Sequence, residues 1–216
     1  GAARIRRSLT GVNIALKDGS SLDFDQLVIA AHADQSLRLL DQPTAEENRI
    51  LGGFSYSRNR TYLHTDAGLM PKRRRLWSSW NYLAPLTTGG ESSSTVSYWM
   101  NSLQPLPTTH DIFVTLNPQR LPREETIRAE FMYEHPVFNP RAMALQKELW
   151  TLQGANRTWY CGAYFGAGFH EDGLQAGLAV AEQLGGVSRP WAVANASGRI
   201  HVHDKLPEGT VLEAAE

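Results

Sequence analysis

The stretch Tyr160–Gly186, YCGAYFGAGFHEDGLQAGLAVAEQLGG, constrains most strongly what this chain can fold into. Trp159, Tyr160 and Cys161 suit an apolar strand end. A turn containing Gly162, Gly166 and Gly168 follows, then the acidic pair Glu171 and Asp172, then an Ala/Leu/Gly helix closed by Gly185 and Gly186. Strand, glycine turn and helix N-terminus together make anion-binding geometry. Glycines let backbone approach a ligand, and the unpaired amides and positive dipole end of the helix favour phosphate or developing negative charge. Helical spacing puts Leu174, Leu178 and Ala181 on one face, while Ala176, Gly177 and Ala179 leave room for something flat or for another backbone. The pattern is not G-x-G-x-x-G and no Walker lysine follows. Spacing alone therefore leaves an ordinary close-packed strand–turn–helix connection slightly ahead.

A chain of 216 residues with 42% hydrophobic and 20% charged residues can bury a sizeable core in one or two domains. A formal net charge of −1 argues against nucleic acid as the main partner. The single cysteine excludes an internal disulfide framework and a Cys-based zinc site, and makes a reducing, cytoplasmic setting the default. No apolar run reaches the roughly 20 residues of a transmembrane helix. Nor does the N-terminus carry a signal-peptide pattern.

Along the chain, Arg4–Leu16, Asp18-Gly19 and Ser21–Ala31 read as a β-hairpin whose second arm, LDFDQLVIAA, ends buried. Ala30 and Ala31 at its end are small enough for a cofactor to pass, and equally suit a plain core strand. His32-Ala33-Asp34-Gln35 is a polar cluster before a short helix, SLRLL. Thr44 and Glu47 have capping-box spacing for a helix to Leu51, stopped by Gly52-Gly53. FSYSRN, RTYLHTD and RLWSSWNYL read as strands, and TVSYWMNSL as the partner of the last across the tip Thr87–Ser94. Trp77, Trp80 and Tyr82 are expected to pack against Tyr98 and Trp99, as sheet core or as the lining of an apolar tunnel. The four cations Lys72–Arg75 suggest nucleic acid or a membrane surface, but read first as a solvated turn. His110–Leu116 and Thr126–Tyr133 complete an antiparallel sheet of about five or six strands. A helix is expected over Pro140–Leu152, then the strand RTWYCG, and finally a loosely packed or frayed tail, Val187–Glu216.

Other chemistries find little support. His201-Val202-His203-Asp204 and His170-Glu171-Asp172 have metal-ligand residue types without a converging set, so no metal site is assigned. No G-x-S-x-G nucleophile elbow occurs. Cys161 reads as a small core hydrophobe.

The glycine-turn stretch resembles the C-terminal flavin-contacting segment of the FAD-dependent amine-oxidase-like oxidoreductases. Together with VIAAHADQSLRLL, YLHTDAGLMPKRRRLWSSWNYL and VSYWMNSLQ, the block CGAYFGAGFHEDGLQAGLAVAE resembles bacterial NAD/FAD-binding oxidoreductases associated with cyclopropane-fatty-acid synthase. These blocks span Val28 to Glu182. Those families open with a strand, G-x-G-x-x-G and helix for the ADP half of FAD, and that motif does not occur here. The resemblance thus implies the C-terminal half of a larger flavoprotein, whose own affinity for FAD and activity depend on the missing half.

It further implies an α+β fold: a mixed, largely antiparallel, substrate-domain-like sheet with flanking helices, plus part of an FAD-binding domain. The implied division is residues 1–40 for the hairpin and strand of the FAD-binding domain, 41–152 for the sheet with its helices, 153–186 for the C-terminal FAD-binding strand–turn–helix, and 187–216 for the tail. Ala30 and Ala31 would flank the cofactor, and Gly162, Ala163 and the turn to Gly168 would lie near its ribityl chain and ring. The amides around Asp172, Gly173 and Leu174 would face the pyrimidine edge. Glu171 would hydrogen-bond the cofactor or cap the helix, and Asp172 would serve as N-cap. The implied reaction is hydride transfer to FAD from a small-molecule or acyl-chain substrate linked to fatty acid metabolism. No lysine matches the lysine–water pair of typical amine oxidases, so no catalytic residue is assigned. The alternative from another class is a non-catalytic lipid- or partner-binding domain. Strand edges left unpaired would promote association into homo-oligomers.

Overall fold

The computed structural model describes residues 1–84 and 94–203. The expected hairpin tip lies outside these residues except for Ser94, as does the tail beyond residue 203. The chain is a mixed fold of antiparallel sheets and, among the described residues, five α-helices. It divides into two units, Gly1–Tyr56 with Pro136–Glu216, and Ser57–His135.

The first unit opens with a three-stranded antiparallel meander, β1 (Ala2–Arg7), β2 (Val12–Leu16) and β3 (Ser21–Phe24). The expected Asp18-Gly19 turn joins β2 to β3, with Gly19 at φ 88° and the Ser20 amide donating to Asp18 Oδ1 at 3.0 Å. The single arm expected over Arg4–Leu16 is two strands. Ser8 Oγ accepts from the amides of Thr10 (3.2 Å) and Gly11 (3.1 Å), folding the chain back there. The second arm also divides: β3 stays in the meander, and β4 (Leu27–Ile29) pairs in parallel with β10 (Thr158–Tyr160). Arg157 fixes the change of partner by donating to the carbonyls of Leu9 (2.7 Å) and Asp25 (3.3 Å).

Helices α1 (Ala33–Leu39) and α2 (Ala45–Leu51) follow, the latter with the expected Thr44/Glu47 capping box. Later in the unit, α4 (Pro140–Gln146) starts on an Asn139 cap with Pro140 in its first turn. The helix expected to run on to Leu152 breaks at Lys147, and Leu149–Leu152 forms a separate 3-10 turn that buries Leu149 and Trp150. The last helix, α5 (His170–Gly185), ends at Gly186 in the left-handed region, φ 64°. Ile29, Ile50, Leu149, Trp159, Phe165 and Val180 are part of one buried cluster. Tail residue Ile200 belongs to that cluster as well.

The second unit is a five-stranded sheet in the order β6 (Trp80–Leu83), β7 (Thr95–Trp99), β8 (Phe113–Leu116), β5 (Ser55–His64), β9 (Ile127–Val137). FSYSRN and RTYLHTD, expected as two strands, supply the single long strand β5. Only the second half of RLWSSWNYL is extended, because Arg74–Leu76 forms a 3-10 turn. TVSYWMNSL likewise leaves the sheet at Met100 and forms α3 (Met100–Leu103).

One buried row of this sheet is mostly polar. The register aligns Asn81, Ser97, Thr115 and Tyr62 across four strands, and all four are buried. The adjacent row, Trp80, Tyr98, Val114 and Leu63, is exposed or half-buried, with Trp80 60% exposed and stacked on Tyr98. Hydrogen bonding makes the polar side tolerable: Ser97 and Thr115 hydroxyls meet at 2.8 Å, and Asn81 donates to the Ser97 carbonyl at 3.2 Å.

Candidate functional site

The parallel pair β4 and β10 sets the site. Leu27, Val28 and Ile29 pair with Thr158, Trp159 and Tyr160, and the Cys161 amide continues the ladder to the Ile29 carbonyl at 3.2 Å. Both strands therefore end side by side, one at Ala30-Ala31 and the other at Gly162-Ala163. Carboxyl ends of adjacent parallel strands are where α/β sheets open a ligand crevice. The other edge of β10 is closed by a side chain: the buried Gln153 amide receives the Tyr160 N–H (2.8 Å) and donates to its carbonyl (2.6 Å).

Small residues keep this end low. A Cβ on Gly162 would stand 2.8 Å from the Tyr164 ring and 3.3 Å from the Ala31 carbonyl oxygen. One on Gly173, in the first turn of α5, would stand 3.5 Å from the Ala163 nitrogen. Ala30 is exposed, and Ala31, Gly162, Ala163 and Gly173 are half-buried. Five of the nine residues singled out in the sequence thus converge on one accessible patch. Gly168 does not join them. Its backbone, at φ 87°, lies against Phe138 and Pro136, where a Cβ would meet the Phe138 ring at 3.0 Å.

The remaining three lie on α5. Leu174 is exposed, and the face that the helix buries is Asp172, Gln175, Ala176, Ala179 and Val180, which includes two of the small residues that leave room for another backbone. Glu171 is exposed and accepts from Gln175 at 2.9 Å. Asp172 is not the N-cap. Phe169 occupies that position, and the fully buried Asp172 sits three residues on, accepting the Phe169 N–H at 2.7 Å and the Arg199 guanidinium at 2.7 and 3.3 Å. The amides of Asp172 and Gly173 turn back to the Phe169 carbonyl (3.1 and 3.3 Å), which takes them from the donor set expected in the sequence. Among the described residues the amides of His170 and Glu171 make no hydrogen bond, so the free donors of this turn are one step nearer its start.

Two tyrosines border the patch without any signal in the sequence. Tyr56 stacks on His32 with ring centroids 4.3 Å apart and accepts the Ala33 amide at 2.9 Å. Burial pushes its phenol up to about 12. The buried Tyr164 packs edge-on to Phe54, its hydroxyl has no partner among the described residues, and burial drives its ionisation far upward. Both stay neutral at physiological pH. Cys161 is a buried core residue whose thiol burial likewise pushes up.

No protein-family model matches the chain, and no curated protein matches it. Among solved structures it is similar to reduced UDP-galactopyranose mutase, with a TM-score of 0.58 and 13% identity over 94% of this chain and 50% of that one. It is also similar to cyclohexylamine oxidase from Brevibacterium oxydans IH-35A, with a TM-score of 0.51 and 11% identity over 86% of this chain and 48% of that one. The chain spans about half the length of each. At these identities the likeness is one of fold alone. No helix among the described residues is long and apolar enough to cross a membrane.

Proposed function

We propose that the chain is part of an FAD-dependent, amine-oxidase-like oxidoreductase that takes hydride from an apolar, lipid-related substrate. The observation that carries this reading is the convergence of Ala30, Ala31, Gly162, Ala163 and Gly173 where β4 and β10 end together. A flat ring system fits a patch whose side chains are no larger than methyl. The unpaired amides at His170 and Glu171 supply donors for the electron-rich edge of such a ring. Bound FAD would supply the hydride acceptor. The chain's own residues would seat it, exclude water through the buried Tyr164 and Phe54 rings, and keep Tyr56 as a neutral hydrogen-bonding wall.

The apolar substrate is part of the proposal; in the second unit, taken by itself, the sheet leaves Trp80 exposed and Tyr98, Val114 and Leu63 half-buried. The visible absorption spectrum tests the cofactor: the chain alone, the chain with added FAD, and a version extended N-terminally through a strand–glycine turn–helix motif. Flavin bands retained by the extended protein support the reading. Their absence from all three samples defeats it and leaves the binding-platform alternative.

A further inference from the structure

The cation run Lys72–Arg75 has no part in the cofactor reading. All four residues are exposed, and one of them is tied down. Arg74 donates to both oxygens of Asp111, at 2.6 and 3.0 Å, and its guanidinium lies 4.6 Å from the Trp77 ring centre and 5.3 Å from that of Trp99. Trp77 in turn donates to the Pro71 carbonyl at 2.8 Å and meets Phe113 edge-on. The 3-10 turn Arg74–Leu76 is thereby fastened at the end of the sheet where β6 starts and β7 stops. Lys72, Arg73 and Arg75 make no ion pair among the described residues. Leu76, next in the chain, is 58% exposed, and Trp80, which opens β6, is 60% exposed.

We propose that this surface docks on an anionic lipid bilayer, with Lys72, Arg73 and Arg75 at the headgroups and Leu76 and Trp80 entering the interfacial layer. Clustered cations next to an aliphatic side chain and an exposed tryptophan match a headgroup boundary in charge and in polarity. Nucleic acid would use the cations but not Leu76. The inference does not rest on the cofactor seat at the ends of β4 and β10.

Sedimentation with vesicles tests it, using phosphatidylcholine alone and phosphatidylcholine mixed with phosphatidylserine. The chain is expected to partition onto the mixed vesicles, less so as salt rises, and to ignore the neutral ones. Replacing Lys72, Arg73 and Arg75 together by Gln, with Arg74 kept, should weaken partitioning on the order of a hundredfold, since each cation near an anionic surface contributes about fivefold. Leu76→Ser, which alters no charge, should weaken it also. Circular dichroism checks that each variant remains folded. Equal binding to both vesicle types, no binding to either, partitioning unchanged in both variants, or preferential capture by competing double-stranded RNA would each overturn the proposal.

Discussion

The Tyr160 hydroxyl donates a 2.7 Å hydrogen bond to the Glu47 carboxylate, joining the buried strand β10 to the capping box of α2. The same carboxylate takes the Thr44 amide at 2.7 Å and a two-pronged contact from Arg7 of β1, so one buried acid ties three elements together. Both ion-pair partners are buried, with side-chain exposures of 2% and 7%. Glu47→Gln should therefore destabilise the first unit by about 3–5 kcal/mol, because Arg7 is left buried without a counter-charge. Urea unfolding followed by tryptophan fluorescence measures this. Burial alone would raise the Glu47 carboxyl, but Arg7, Thr44 and Tyr160 outweigh it and hold the group below its ordinary range. A depressed carboxyl contributes stability above its unfolded pKa and loses it as pH falls through the folded value. Acidification below the ordinary carboxylate range should thus destabilise the native chain more steeply than the Gln variant.

His64 gives the second unit an acid sensitivity of its own. It is fully buried, receives the Asp66 amide on Nδ1 at 3.1 Å, and so carries its proton on Nε2, which donates to the Thr115 hydroxyl at 2.8 Å. Burial lowers it to about 4 from 6.5, with Asp66 opposing the shift and Arg120 adding to it. The unfolded chain binds the proton first, so this contribution is complete above pH 6.5 and is lost toward pH 4. The loss amounts to roughly 3 kcal/mol for a single proton. A histidine titration by NMR should find the His64 ring neutral at pH 5, where exposed imidazoles are charged.

Arg199 clamps residues of the tail to α5. Its guanidinium is half-exposed but meets a fully buried carboxylate, that of Asp172, and its amide donates to Gln175 at 3.1 Å. Arg199→Ala should cost about 1–3 kcal/mol and make the segment before residue 203 accessible to protease, while Arg199→Lys should retain part of the protection. Limited proteolysis with mass spectrometry reads both effects.

Gly162 adopts φ 156° and ψ 170°, a region that side chains avoid, and a methyl there would press on the Tyr164 ring. Gly162→Ala should lower stability by about 1–3 kcal/mol. Thermal unfolding of the variant checks it.

Features encoded locally were legible in the chain. Thr44 and Glu47 stand at capping-box spacing and form that box, and the apolar strand, glycine turn and long helix after residue 158 fold as their pattern implies. What distant partners decide was not legible. Arg74 draws RLW out of the strand pattern because Asp111, Trp77 and Trp99 offer more than the sheet edge does. The ion pair that holds the buried Asp172 against Arg199, 27 positions away, is likewise beyond the reach of any spacing rule. Gln153 standing in for a strand along β10, and Tyr56 and Tyr164 bordering the site, have no periodic signature at all. Five of the nine site residues converge because two strand ends carry them. Of the other four, Gly168 lies against Phe138, Asp172 is buried against Arg199, and Glu171 and Leu174 are exposed on α5.

The central claim is a flavin seat between the ends of β4 and β10, and flavin occupancy of Gly173 variants tests it most directly. Gly173→Ala places a methyl at ordinary contact distance, 3.5 Å from Ala163, whereas Gly173→Leu fills the patch. The measurement is the ratio of flavin to protein absorbance after purification of the N-terminally extended protein, native and in both variants, with circular dichroism to verify folding. The account predicts flavin in the native and Ala proteins and its loss from a folded Leu variant. Equal flavin in the folded Leu variant, or none in the native protein, would contradict it.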